Sequence, residues 1–242
     1  ISPRKNLWHC LGACQAGGSV IDWVMRREQV SFRHAAEQLR KALPGGSVPT
    51  LALDPGLDDA ALLGAVIGYY HVMLLESPEA IAYLARRGLN HREAIERFRL
   101  GYANRTLSYQ LPEGKAGREL RARLETLGIF RASGHEHFNG SLVVPAFDAQ
   151  GQVVACYGRK IRDDLRPGTP VHLYLPGPHR GVWNVAGLAG QADVILCEAL
   201  LDALTFWVAG YRHVTASYGV NGFTAEHLAA LKASGAERVL IA

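Results

Sequence analysis

Apolar and polar positions change rhythm along the 242-residue chain. As far as Phe98 the apolar residues recur at helical spacing, and from Leu142 onward they come in short blocks. Asn6 to Trp8 reads as strand and Leu11 to Gly18 as a tight loop. Val20, Trp23 and Val24 share a face over Val20 to Arg27, and Ser31 is placed to cap a helix reaching Leu43. The spacing predicts a longer helix over Leu57 to Leu75, with Leu62, Val66, Tyr69 and Met73 as its apolar stripe. Pro78 suits the first turn of another helix through Arg87, which Gly88 ends. Asn90 is placed to cap a third, His91 to Phe98.

The later blocks read as strands. Leu142 to Phe147 and Gln152 to Tyr157 flank Asp148-Ala-Gln-Gly151, a hairpin signal. Asp193 to Cys197, His213 to Gly219 and Arg238 to Ala242 are apolar runs separated by helical patterns, which implies right-handed βαβ units and a parallel sheet. Ligands bind such sheets beyond the C-terminal strand ends. Glu198 and the Ser217-Tyr218-Gly219 turn lie at two of those ends. The fold class expected is α/β: a small first unit, which the family resemblance described below makes a zinc-ribbon remnant, a mixed helix-and-sheet subdomain, then a parallel sheet. The boundaries expected are a first unit at 1–43, a Pro/Gly linker at 44–56, a subdomain at 57–190 and the parallel sheet at 191–242.

Composition narrows the field modestly. Hydrophobic content of 48% and charged content of 20% are ordinary for a globular protein. No apolar run reaches the roughly 20 residues of a membrane helix; the longest, Ala60 to Leu75, is interrupted by His71. The first residue is Ile, no signal peptide is visible, and the chain reads as an internal piece. A net charge of +4 permits a polyanionic partner without requiring one. Between Arg86 and Arg131, eleven basic residues stand against five acidic ones, so the positive field is expected there, although pairs such as Arg92 and Glu96 at i,i+4 neutralise part of it.

The four cysteines do not form a secreted disulfide pattern, which points to a reducing, cytoplasmic setting. Cys156 and Cys197 sit in strand patterns and read as buried apolar residues. Cys10 and Cys14 share a Gly-rich loop; the spacing alone serves a zinc ion or an ordinary loop equally well. Glu198 alone is either a metal-binding carboxylate or one that stabilises a helix N-terminus. The Ser217–Gly219 turn is either a close approach to a ligand or a plain strand-to-helix turn.

Several segments, in order, resemble the bacterial DnaG-type primase family. Asn6-Leu-Trp-His-Cys-Leu-Gly-Ala-Cys-Gln-Ala-Gly-Gly-Ser-Val-Ile-Asp-Trp23 is similar to the end of that family's CHC2 zinc-binding domain. Tyr83-Leu-Ala-Arg-Arg-Gly-Leu89 and Arg97-Phe-Arg-Leu-Gly-Tyr-Ala103 resemble the start of its core, and Gly140 to Arg159 its paired strands. Leu196-Cys-Glu-Ala-Leu-Leu-Asp202 with Ala216-Ser-Tyr-Gly219 resembles the opening of a Toprim module. The cysteine loop is one residue longer than the family's, Ala199 replaces a usual Gly, and the upstream zinc ligands and the Toprim Asp-x-Asp pair are not in the chain.

The resemblance implies DNA-templated RNA primer synthesis, a nucleotidyl transfer in DNA replication. It implies Zn²⁺ at Cys10 and Cys14, Mg²⁺ at Glu198, and Asp202 in the same acidic cluster. Arg159 and Lys160 would form a basic floor, joined by Arg180, while Trp183 packs. The implied partners are a single-stranded DNA template, nucleoside triphosphates and a replicative helicase, with no membrane. A rival reading keeps the fold without catalysis, as a nucleic-acid-binding protein of a mobile element. The missing acids are expected to leave this piece inactive alone.

Overall fold

The structure, a computed structural model, describes residues 1–3, 6–12, 14–42, 53–148 and 150–242. Most of the linker expected at 44–56 lies outside the described residues, as does the expected helix end at Leu43. The chain divides into two units, Ile1–Thr50 with Ser108–Gln110 and Leu51–Leu107 with Leu111–Ala242.

In the first unit, β1 (Leu7–His9) pairs antiparallel with β2 (Gly17–Ser19). Two of the three β2 residues are glycines without a strand pattern, so they read as loop; pairing to β1 is what extends them. Helix α1 (Val20–Glu28) starts in a capping box. The Ser19 amide donates to Asp22 Oδ2 at 2.7 Å, and the Asp22 amide donates to Ser19 Oγ at 3.4 Å. Trp8 and Trp23 meet edge-to-face at 5.3 Å. Helix α2 (Phe32–Ala42) follows.

The second unit opens with α3 (Asp59–Leu75), capped by Asp58, whose Oδ1 accepts from the Ala61 amide at 2.8 Å. The expected single stripe is too narrow. Leu63, Ile67, Tyr70 and Leu74 are buried as well, so α3 is a core helix enclosed on most sides. Its apolarity therefore reflects the protein interior, and no single described helix is long and apolar enough to cross a membrane.

Pro78 begins α4 (Pro78–Arg86), and Gly88 follows it at φ +70. Helix α5 (Arg92–Arg97) is capped by His91 rather than Asn90. The His91 Nδ1 accepts from the Ala94 amide, filling the role a shorter Asn side chain one residue earlier was expected to take. Strand β3 (Gly101–Tyr102) and helix α6 (Gly114–Thr126) come next.

The hairpin appears as β4 (Ser141–Phe147) and β5 (Val153–Lys160), and β6 (His172–Tyr174) adds an edge. The sheet order is β3-β4-β5-β6, all antiparallel. Its two faces serve two cores. Val143, Val153 and Cys156 pack with residues of α3 and α6. Leu142, Val144, Ala155 and Tyr157 pack with α4, α5 and the elements that follow.

Those elements are β7 (Asp193–Cys197), α7 (Leu200–Val208), β8 (Val214–Ala216), α8 (Ala225–Ser234) and β9 (Arg238–Ile241). They form the expected parallel sheet, in the order β8-β7-β9. Trp183, 1% exposed, lies tilted against Phe98 at 4.2 Å, and Trp207 meets the same ring edge-on at 5.0 Å. Burying side chains of this size contributes about 1.5–3 kcal/mol each. One continuous core thus holds the parallel sheet against the antiparallel one.

Candidate functional site

The parallel sheet presents its acids where the strand pattern placed them. Strand β7 is buried through Cys197, and the next residue, Glu198, is exposed. Ala199 caps α7 at φ −114 and ψ 148, ordinary extended backbone, so the glycine usual in the family is not required here. Asp202 is exposed in the first turn of α7. Neither carboxylate forms an ion pair with a described residue. Their oxygens are free for a hard cation that keeps part of its water shell.

The turn beyond β8 lies against this edge. The Gly219 amide donates to the Glu198 carbonyl at 2.8 Å. Tyr218 is left-handed at φ 61, a conformation that costs a β-carbon-bearing residue about 1–3 kcal/mol. The Tyr218 hydroxyl compensates by donating to the Gly181 carbonyl at 3.2 Å, while its ring stacks on His179 at 5.4 Å. The Gly181 amide in turn donates to Glu226 Oε2 at 2.5 Å. Arg180 lies between these anchored residues and is itself exposed, so the backbone carrying it is tied to the parallel-sheet edge.

The antiparallel sheet brings its own side chains to the same region. Arg159 and His172 are direct partners on β5 and β6, as are Tyr157 and Tyr174. An Arg159 Nη1–H faces His172 Nε2, and His172 Nδ1 lies 2.8 Å from the Tyr157 hydroxyl. Partial burial of an otherwise exposed ring, together with the positive charges of Arg159 and Arg87, holds the His172 imidazole below its ordinary value of 6.5, and Asp202 opposes the shift. Burial raises the Tyr174 phenol, with Glu198 adding to the effect. Asp202 of the parallel sheet is thus within electrostatic reach of His172, and Glu198 of Tyr174.

Arg159 and Lys160 do not form one floor. They are consecutive on β5 and face opposite sides of the sheet. Lys160 lines a separate cavity of about 560 Å³ with Arg105, Asn139, Arg162, Asp164 and Arg166. Its Nζ donates to the Asn139 carbonyl, and burial, aided by Arg131 and Arg105, pushes the ammonium down to about 8. Asp164 is bound to Arg162, which leaves the cavity predominantly positive. Gly158, immediately before Arg159, has no room for a side chain, because a β-carbon there would collide with the Phe138 ring. Within the stretch from Arg86 to Arg131, Arg92, Lys115 and Arg123 are paired with Glu96, Glu119 and Asp59.

Sequence reasoning missed His172, Tyr157 and Tyr174, and counted Arg87 only within the basic stretch from Arg86 to Arg131. His172-Leu-Tyr174 is too short and polar to announce a strand. Only its pairing with β5 places His172 against Arg159. The period-2 rule applied to Arg159-Lys160 was sufficient to separate those two residues.

In the first unit the Cys10 thiol is held below its ordinary range, chiefly by a hydrogen bond with Cys14 and next by the Gly12 amide. The Cys10 amide donates to the Ala16 carbonyl at 2.7 Å, closing the loop, and Gln15 takes up its extra length at φ 42. Two adjoining sulfurs with loop amides directed at one of them fit half of a tetrahedral zinc site. No cluster of three or more potential ligands occurs among the described residues.

Comparison with known proteins agrees with both units. Residues 1–45 match the CHC2 zinc finger family, and residues 69–169 match the family "DNA primase catalytic core, N-terminal domain". The DNA primase of Helicobacter pylori (strain ATCC 700392 / 26695) is 26% identical over 99% of this chain and 44% of its own length. That of Deinococcus radiodurans is 27% identical over 100% of this chain and 43% of its own length. That of Aquifex aeolicus is 29% identical over 90% and 45%. The chain therefore spans less than half the length of these curated relatives.

A solved DnaG catalytic core superposes with a TM-score of 0.64 at 22% identity, covering 76% of this chain and 61% of that one. The zinc-binding and RNA polymerase domains of Aquifex aeolicus primase give 0.59 at 23% identity, covering 100% and 60%. The fold and the matched segments agree on a CHC2 zinc-finger segment ahead of one similar to the N-terminal domain of a DNA primase catalytic core. Both matched segments, in this order, are parts of the bacterial DnaG-type primases, which the chain resembles along nearly its whole length.

Proposed function

We propose that this chain is the zinc-binding and core portion of an enzyme that synthesises RNA primers on a single-stranded DNA template in the cytoplasm. What supports this reading is that two exposed carboxylates, Glu198 and Asp202, stand at a parallel-sheet edge within electrostatic reach of Tyr174 and His172 of the neighbouring sheet, and that His172 also faces Arg159. Primer extension joins a nucleotide 3′-oxygen to the α-phosphorus of a nucleoside triphosphate and releases pyrophosphate. Glu198 would hold Mg²⁺, with Asp202 in the same acidic cluster. The ion, when bound, neutralises phosphate charge and orients the reacting oxygens. Arg159 and Arg180 would supply positive charge to the triphosphate.

The cavity around Lys160 offers a path for template phosphates on the other face of the sheet. A solved DnaG primase catalytic domain is bound to single-stranded DNA, which supports the same partner here. Cys10 and Cys14 would hold Zn²⁺ with ligands from elsewhere, organising a unit that helps retain or choose the template. A replicative helicase is a further partner the family resemblance supports.

The test is calorimetric titration of the chain with Mg²⁺–ATP. Glu198→Gln is expected to weaken binding about tenfold while leaving the unfolding midpoint unchanged, because the side chain is exposed. Equal affinity in the variant and the parent would sink the assignment of this edge.

A further inference from the structure

The contacts around His172 determine which of its nitrogens carries hydrogen. A guanidinium has five N–H donors, no acceptor, and remains charged. The nitrogen facing Arg159 Nη1, which is Nε2, must therefore present a lone pair. A neutral imidazole with its lone pair on Nε2 carries its hydrogen on Nδ1. Nδ1–H then donates across 2.8 Å to the Tyr157 hydroxyl oxygen. The relay runs in one direction, from Arg159 to His172 to Tyr157.

Resting on the primase reading, we propose that His172 is a positioning residue: as the Nδ1–H tautomer, it grips Arg159 by one Nη and orients the guanidinium toward the triphosphate. No carboxylate among the described residues pairs with Arg159, so its charge is not cancelled from within the protein. Its Nε is buried without a partner and provides no other anchor. A second cation in place of His172 would repel Arg159, whereas a neutral ring nitrogen holds it without neutralising it. Burial and the nearby Arg159 and Arg87 favour that uncharged ring over the opposing influence of Asp202.

Two readouts separate positioning from simple packing. Long-range ¹H–¹⁵N correlation of the His172 ring, assigned by its loss in His172→Gln, should show hydrogen on Nδ1 at neutral pH. Hydrogen on Nε2, or on both nitrogens, would overturn the inference. In Mg²⁺–ATP titrations, His172→Phe should weaken binding about tenfold, while His172→Gln, which restores an acceptor, should stay within about twofold of the parent. Both variants should keep the parent's unfolding midpoint, since His172 is exposed. Parent-like affinity in His172→Phe would also overturn the inference. If the parent itself binds no nucleotide, the primase reading fails, and the ring tautomer still decides this one.

Discussion

Lys160 offers the sharpest quantitative test, because its charge can be switched by pH as well as by mutation. Its ammonium titrates at about 8 instead of 10.5, mainly through burial and next through Arg131 and Arg105. It is therefore mostly charged near pH 7 and mostly neutral near pH 9.5. If Lys160 meets one template phosphate in its cavity, the charged form releases one counterion when it binds. For single strands that contributes about 0.7 to the slope of log affinity against log salt, or about a 2.6-fold loss of affinity from 50 to 200 mM salt. Anisotropy with a labelled oligodeoxythymidine at several salt concentrations measures that slope. The parent slope should shallow by about 0.7 between the two pH values, and Lys160→Met should show the shallower slope at both.

The same group predicts a stability effect of definite sign. The native state surrenders this proton before the unfolded chain does, so stability should rise as pH increases from about 8 to 10.5. The side chain is only half-buried, and solvent screening limits the gain to about 1 kcal/mol or less. Lys160→Met should remove this pH dependence in urea unfolding. A parent salt slope independent of pH and matched by Lys160→Met would refute the placement of template phosphate here.

Other expectations follow from buried groups and from the cysteine loop. Trp183→Ala, at a site 1% exposed against Phe98, should cost about 3–5 kcal/mol in urea unfolding; a loss under 1 kcal/mol would contradict the shared core. Glu136, 5% exposed, accepts from the Leu107 amide at 3.0 Å and the Tyr70 hydroxyl at 3.1 Å. Glu136→Ala should therefore cost about 2–4 kcal/mol, with Tyr70→Phe recovering part of it in a double-mutant cycle. Cys10→Ser should lower the zinc retained by the purified chain in a colorimetric metal assay, whereas Cys156→Ser should retain the parent's zinc content.

Much of the secondary structure was readable because its signals are local. The Pro78 start and Gly88 end of α4, the Asp148 hairpin and the β7–α7–β8–α8–β9 alternation each declare themselves within a few residues. Elements defined by distant partners were not readable in this way. The all-round burial of α3 depends on α6 and the antiparallel sheet closing over it, and β6 is a strand only because β5 lies beside it. The candidate acids were visible at a strand end, as the general rule for parallel sheets requires. His172 was not, since its relevance comes from the residue across the ladder rather than from its own neighbours.

Phe98 gives the second unit a natural optical gauge. Trp183 and Trp207 both lie against its ring, at 4.2 and 5.0 Å, where the two β-layers join. Any ligand that pried those layers apart would admit water to both indoles and redden their emission. A ligand seated without such movement would leave the spectrum blue, so a fluorimeter can distinguish a rigid cleft from one that gapes.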